Sequence, residues 1–153
     1  MKKIYVLLLA VVLLTATTNA QSYKTAAGLQ IDFGDGSTLV GPNIKHFFDR
    51  NSAIRGEVLF GNHVTFLQAF YNYQKSIPNS RGLDWFIGGG PSIGLYKGGS
   101  SFYIRPMIGL DYKFASIPLA MSFDWRPFLY IGNDPGSRFT AARFGLNFNY
   151  VIN

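Results

Sequence analysis

From Tyr23 onward, apolar residues recur at every second position, and the recurrence breaks at clusters of Gly, Asn, Asp, Pro and Ser. The breaks divide the chain into eight segments of about ten residues, 24–34, 38–48, 53–60, 63–74, 83–96, 101–114, 117–128 and 139–152. Between them lie Gly34-Asp35-Gly36-Ser37, Asp49-Arg50-Asn51-Ser52, Gly61-Asn62, a 75–82 connection containing Pro78-Asn79-Ser80, Lys97-Gly98-Gly99-Ser100, Ala115-Ser116, and the longest loop, 131–137. In the sixth segment Phe102, Ile104, Pro106, Ile108, Leu110, Tyr112 and Phe114 alternate with Tyr103, Arg105, Met107, Gly109, Asp111 and Lys113. In the seventh, Leu119, Met121, Phe123 and Trp125 alternate with Ala120, Ser122, Asp124 and Arg126; in the eighth, Ala142, Phe144, Leu146, Phe148 and Tyr150 alternate with Ala141, Arg143, Gly145, Asn147 and Asn149. A period of two is that of a strand with unlike faces, so the pattern predicts an all-β, eight-stranded antiparallel up-and-down barrel.

Alternation alone leaves the solvent open, because a soluble lipocalin-like carrier and a membrane barrel share the period with opposite faces inside. The polar face is rich in small residues (Gly28, Gly41, Ala53, Gly88, Gly90, Gly109, Ala120, Gly145), which suit a cramped interior. Its charges nearly cancel, Lys45, Arg55, Arg105, Lys113, Arg126 and Arg143 against Asp32, Glu57, Asp84, Asp111 and Asp124. Buried charges must be paired, so this balance fits a lumen. On the apolar face aromatic residues gather near segment ends: Tyr73, Trp85, Tyr112 and Tyr150 toward one rim, Phe33, Phe60, Phe102 and Trp125 toward the other. Such girdles mark the water–hydrocarbon boundary. The expectation is a transmembrane barrel with its polar face inward and its lumen plugged.

Composition agrees: hydrophobic residues make up 48% and charged residues 14% of the 153, yet after residue 20 no run approaches the roughly 18 apolar residues of a spanning helix. The N-terminus predicts the route. Met1-Lys2-Lys3 precedes an unbroken apolar run from Ile4 to Leu14, and Thr18-Asn19-Ala20 places small residues before Gln21. That is the layout of a secretory signal peptide cleaved between Ala20 and Gln21, with the barrel domain over 21–153. Of 14 basic residues Lys2 and Lys3 leave with it, so 12 remain against 8 acidic, scattered without a basic run. No nucleic-acid partner is expected. The absence of Cys excludes disulfides and a lipid-modified cysteine.

The C-terminal run Arg143-Phe144-Gly145-Leu146-Asn147-Phe148-Asn149-Tyr150, together with Leu83-Asp84-Trp85 through Gly90, Leu110-Asp111-Tyr112-Lys113-Phe114 and Trp125-Arg126-Pro127, resembles the small outer-membrane β-barrel family, which includes the OmpA transmembrane domain and OmpX. The resemblance covers the whole chain after the leader. It implies a monomer in the Gram-negative outer membrane, with lipid around it and with assembly machinery and periplasmic chaperones as partners during biogenesis. Arg143, Gly145, Phe148 and Tyr150 would carry the assembly signal. Many members end on an aromatic residue, whereas Val151-Ile152-Asn153 follow Tyr150 here. With both termini periplasmic, Asp35, Gly61, Lys97 to Ser100 and 131–137 face outward, and connections this short argue against an adhesin or receptor.

Few residues suggest chemistry. His63 and Thr65 offer only the loose outline of a nucleophile–base pair, which would make the chain a lipid A-modifying enzyme. The only other histidine, His46, lies on a distant segment, and no acid is near in sequence. Lys45 and His46 are adjacent; Lys45 is expected inside and His46 at the rim. Gly88-Gly89-Gly90 lacks the Lys-Ser/Thr of a phosphate loop, and no His/Asp spacing suits a metal. Neither cofactor nor catalytic group is expected. Arg105, Asp111, Lys113, Asp124, Arg126 and Arg143 are expected to form a salt-bridged lumen network rather than an ion path. Pro91 and Pro106 conflict with a closed sheet; a four-residue turn at 97–100 would set them opposite each other at a bulge.

Overall fold

The computed structural model describes residues 23–133, 136 and 138–153; the expected cleavage site Ala20–Gln21 lies outside them, as do parts of the 131–137 loop. Its strands are β1 (Thr25–Gly34), β2 (Ser37–Phe47), β3 (Ser52–Gly61), β4 (Val64–Ser76), β5 (Leu83–Tyr96), β6 (Gly99–Lys113), β7 (Leu119–Trp125), β8 (Phe128–Tyr130), β9 (Phe139–Thr140) and β10 (Phe144–Val151). All pairings are antiparallel. β1 pairs with β10 from Ala26↔Val151 to Phe33↔Phe144, which closes the sheet on itself. β7 and β8 both pair with β6, and β10 and β9 continue beside them. The ten strands are thus eight staves of one barrel, two of them interrupted. No helix is long and apolar enough to cross a membrane.

The interruption corrects the expectation of an unbroken eighth strand over 139–152. Below it β7 and β10 pair as Trp125↔Phe144; above it β8 and β9 pair as Phe128↔Thr140. Three residues, Ala141 to Arg143, therefore oppose the two residues Arg126 and Pro127, which is a one-residue bulge. Pro127 supplies no amide there, while Arg126 N still donates to Arg143 O at 3.0 Å.

Two of the hairpins at one end of the barrel turn on two residues whose conformation explains their choice. Asp35 and Gly36 both have positive φ, 47° and 72°, as a primed turn requires. His63 sits at φ 64° in the Asn62-His63 turn rather than beginning β4. Lys97-Gly98 likewise closes β5–β6, two residues shorter than expected, and this moves the register. Pro91 faces Ile104 and Pro106 faces Gly89, so the prolines are not opposite and β5–β6 carries no bulge.

Burial separates the faces. Leu29, Ile44, Ile54, Ile87, Ile108, Leu110, Phe123 and Tyr150 are exposed on the outside, while Gln30, Asp32, Lys45, Arg55, Arg105, Asp124 and Arg126 are completely buried inside. This is the inverse of a water-soluble carrier, whose apolar residues would line the interior. The interior is not filled by small and charged groups alone. Phe47, Phe66, Phe70, Phe86 and Phe128 also point inward, with Leu39, Leu59 and Met107. Glycines make their room: a Cβ on Gly94 would stand 2.9 Å from the Phe66 ring.

Candidate functional site

Asp32, Glu57, Asp111 and Asp124 each meet a cation in the lumen, and the contacts form three layers along the barrel. In the layer nearest the chain termini, Lys45 Nζ donates to Asp111 Oδ2 at 2.5 Å and to Gln74 Oε1 at 2.6 Å. Gln74 Nε2 in turn donates to Asp84 Oδ2 at 2.8 Å, and the Tyr23 hydroxyl donates to Asp111 Oδ2 at 2.9 Å. In the middle layer Arg126 forks across Asp124, with Nη2 donating to Oδ2 at 2.8 Å and Nε to Oδ1, and its Nη1 donates to Glu57 Oε2 at 2.8 Å. Arg55 lies 3.6 Å from Asp124 and 3.8 Å from Glu57. In the third layer Asp32 is shared. Its Oδ2 accepts from Arg105 Nη1 at 2.7 Å, and its Oδ1 accepts from Arg143 Nε at 2.9 Å and Nη2 at 2.5 Å.

Strand alternation puts these side chains inside, and pairing sets their height. Asp124 and Gly145 are register partners on β7 and β10, as are Asp124 and Gly109 on β7 and β6. A Cβ on Gly145 would come 2.5 Å from Arg126 Nε and 2.7 Å from Asp124 Oδ1, so this glycine gives the guanidinium its space. Each interior cation also lies over an aromatic face: Lys45 over Phe47 at 4.8 Å, Arg55 over Phe86 at 5.3 Å, Arg105 over Phe128 at 3.7 Å, Arg126 over Phe70 at 5.6 Å, and Arg143 over Phe128 at 5.6 Å. Cation–π attraction is strongest where water is excluded. Inward phenylalanines went unrecognised in the sequence because β4 alternates apolar residues on both faces; Phe66 and Phe70 point in while Leu67 and Tyr71 point out.

Of the six residues expected in the network, Arg105, Asp111, Asp124, Arg126 and Arg143 are buried within it. Lys113 is not. It ends β6, where its ammonium donates to the carbonyls of Phe114 and Ile117, the latter at 2.9 Å, because a long side chain at a strand end reaches water more cheaply than a buried acid. Lys45 is fully buried, and the half-buried His46 shares a 3.0 Å hydrogen bond with Thr25 Oγ1. Of the assembly-signal residues, Arg143 and Gly145 face inward and Phe148 and Tyr150 outward. Of the girdle residues, Tyr73, Trp85, Tyr112 and Tyr150 lie toward the end with the termini, whereas Trp125 lies between the two ends, level in register with Ile108 and with β8 continuing its stave, and its Nε1 donates to Ala141 O at 2.6 Å.

Above Phe128 the barrel opens as a cavity of about 600 Å³, floored by Leu39, Phe66, Tyr103 and Phe128 and rimmed by Asp35, Thr38, Asn62 and Thr140. Along the β2–β5 wall the polar row Asn43–Glu57–Gln68–Ser92 runs from register partner to register partner. His63 is exposed in its turn, and no hydrogen-bond partner orients its ring among the described residues, so no nucleophile–base–acid chain forms around it and Thr65. No group of three metal-binding side chains occurs among the described residues.

No protein-family model and no curated protein matches the chain. Among solved structures it is similar to the N-terminal β-barrel domain of Pseudomonas aeruginosa OprF, with a TM-score of 0.59 and 15% identity over 85% of this chain and 100% of that one. The chain therefore has the closed eight-stranded barrel fold of the small β-barrel family that its sequence resembles, as represented by the OprF domain.

Proposed function

We propose that this chain is a non-enzymatic integral protein of the Gram-negative outer membrane, exported behind residues 1–20, with a lumen plugged by its own side chains. It serves envelope structure or interactions at the cell surface. The observation that carries this reading is the inverted burial, with Ile108 and Phe123 outside and five guanidinium or ammonium groups inside, each beside an acid. Such charges are tolerable in an apolar surrounding only when paired. The stack of Arg105 on Phe128 and the Asp32-centred layer beneath the outer cavity support the plug. The protein is expected to be monomeric in lipid, and to use outer-membrane assembly machinery and periplasmic chaperones during insertion.

Purified protein in planar bilayers should give no stable single-channel currents, and currents of ionic size would overturn the plug. Cell fractionation should place it in the outer membrane with heat-modifiable gel migration; recovery in a detergent-free soluble fraction would overturn the membrane assignment. Lipid A from cells with and without the gene should have one acyl pattern, and a difference would point to an enzyme.

A further inference from the structure

The two ends of the barrel differ in charge, and the difference falls at the level of the aromatic girdle. Around the end that carries the termini, Lys24, Arg50, Lys75 and Arg81 are exposed and Lys113 is half-buried. The acidic residue of that rim is Asp49, whose carboxylate is taken up by the amides of Asn51 and Ser52, each at 2.7 Å. Asp84 is turned to the lumen, where it accepts from Gln74. At the opposite end the described charged residues are Asp35, Lys97 and Arg138. Every interior cation has an acid within 4 Å, whereas Lys24, Arg50, Lys75 and Lys113 have none among the described residues. Lys75 marks the depth of this collar. It continues the outward face of Tyr71 and Tyr73 on β4 and is the register partner of Trp85 on β5, whose ring centroid is 6.0 Å from that of Tyr73. Tyr and Trp settle at the boundary between hydrocarbon and headgroups, so Lys75 beside them reaches the headgroup layer.

We propose that this collar binds the headgroups of anionic phospholipids, so that the barrel gathers them around the end bearing its termini and not around the other. Charge complementarity selects that class of lipid. Each Lys or Arg near an anionic bilayer surface favours association by a factor of about five, and here Lys24, Arg50, Lys75 and Lys113 stand at one end against Asp49 as its exposed acid. The inference rests on the membrane reading above.

The chain's two tryptophans provide an internal comparison, Trp85 within the collar and Trp125 further from it, at the register of Ile108 in the middle of β6. Trp125→Phe and Trp85→Phe proteins would be folded into phosphatidylcholine vesicles holding a minor, equal fraction of brominated phosphatidylglycerol or brominated phosphatidylcholine. Trp85 fluorescence should be quenched more by the brominated phosphatidylglycerol, with the excess reduced by added salt through screening, and the excess should be smaller at Trp125, which lies deeper and away from the collar. Adding Lys24→Gln, Arg50→Gln, Lys75→Gln and Lys113→Gln should bring Trp85 to equality. Equal quenching of Trp85 from the outset, an excess that salt leaves untouched, or the same excess at Trp125 would each overturn the proposal. The salt series needs no collar variant and so holds even if the quadruple substitution does not fold. Absence of quenching at both tryptophans by either lipid would instead overturn the membrane reading.

Discussion

Lys45 Nζ lies 2.5 Å from Asp111 Oδ2, a contact between residues 66 positions apart that brings β2 and β6 together across the lumen. Both side chains are buried, so neither can turn to water if the other is lost. Asp111→Asn is expected to destabilise the barrel by about 3–5 kcal/mol, the usual cost of leaving a buried charge alone. Lys45→Met combined with Asp111→Leu should cost less than either single change. Denaturant unfolding in lipid vesicles measures both; a double variant worse than the sum would mean that the pair is not the relevant unit.

Arg143 latches the β1–β2 hairpin. Its Nη1 donates to Gly34 O at 2.6 Å, Ser37 Oγ at 2.7 Å and Ser37 O at 3.1 Å while the rest of the guanidinium holds Asp32. Lysine keeps the charge but not the fork. Arg143→Lys should lose about 1–2 kcal/mol, on the order of one or two charged hydrogen bonds, and hydrogen exchange should quicken in the hairpin around Asp35 and Gly36.

Two glycines should respond in opposite ways to alanine. At Gly145 the new methyl would press on Arg126 and Asp124, and Gly145→Ala is expected to cost about 1–3 kcal/mol. At Gly56, on the outer face, the nearest atom is Ile44 Cγ2 at 3.7 Å, so Gly56→Ala should be neutral or stabilising by up to about 1 kcal/mol. Refolding into synthetic lipid, without any assembly machinery, separates this packing effect from a role of Gly145 in recognition.

Depth on the outer face sets the penalty for a charge. Ile108 is half-exposed in the middle of β6, and Ile108→Arg should cost about 2–4 kcal/mol in a bilayer. Ile152, beyond the end of β10, is as exposed, yet Ile152→Arg should cost about 0–1 kcal/mol. Equal effects in a folding titration would contradict a membrane-spanning band.

Acid should loosen one turn. The backbone amide of Asn51, with further help from Ser52, holds the Asp49 carboxyl below the usual carboxylate range. A depressed folded-state pKa means that this contribution is complete above the ordinary aspartate pKa and disappears as pH falls through the lowered one. Amide exchange at Asn51 and Ser52, corrected for its intrinsic pH dependence, should therefore gain nothing from mild acid and accelerate only in strong acid. Asp49→Ala should remove the pH response.

Most of the wall was legible from the chain because β6, β7 and β10 alternate with hardly a slip, and a buried face imposes its register. Asp32, Glu57 and Asp124 could be placed in the lumen by parity alone. Their partners could not, since a contact such as Arg143 with Asp32 spans 111 positions and depends on how the barrel closes. The bulge at Ala141 and Ala142 was hidden for another reason: both neighbours are alanine, so a shift of face leaves no mark in the polarity pattern. The position of Pro91 relative to Pro106 depended on one turn, where Lys97-Gly98 suffices in place of four residues.

The seam between β1 and β10 joins the first strand of the barrel to the last, and Asp32 and Arg143 meet only across it. Until the ends come together, each is a charge without its counterpart, so closure itself is what neutralises them. Pairing one residue out of step would rotate Arg143 into hydrocarbon and Phe144 into the lumen. The ionic wiring thus works as a proofreading device for the circle, rewarding one alignment of the chain's two ends and penalising its neighbours.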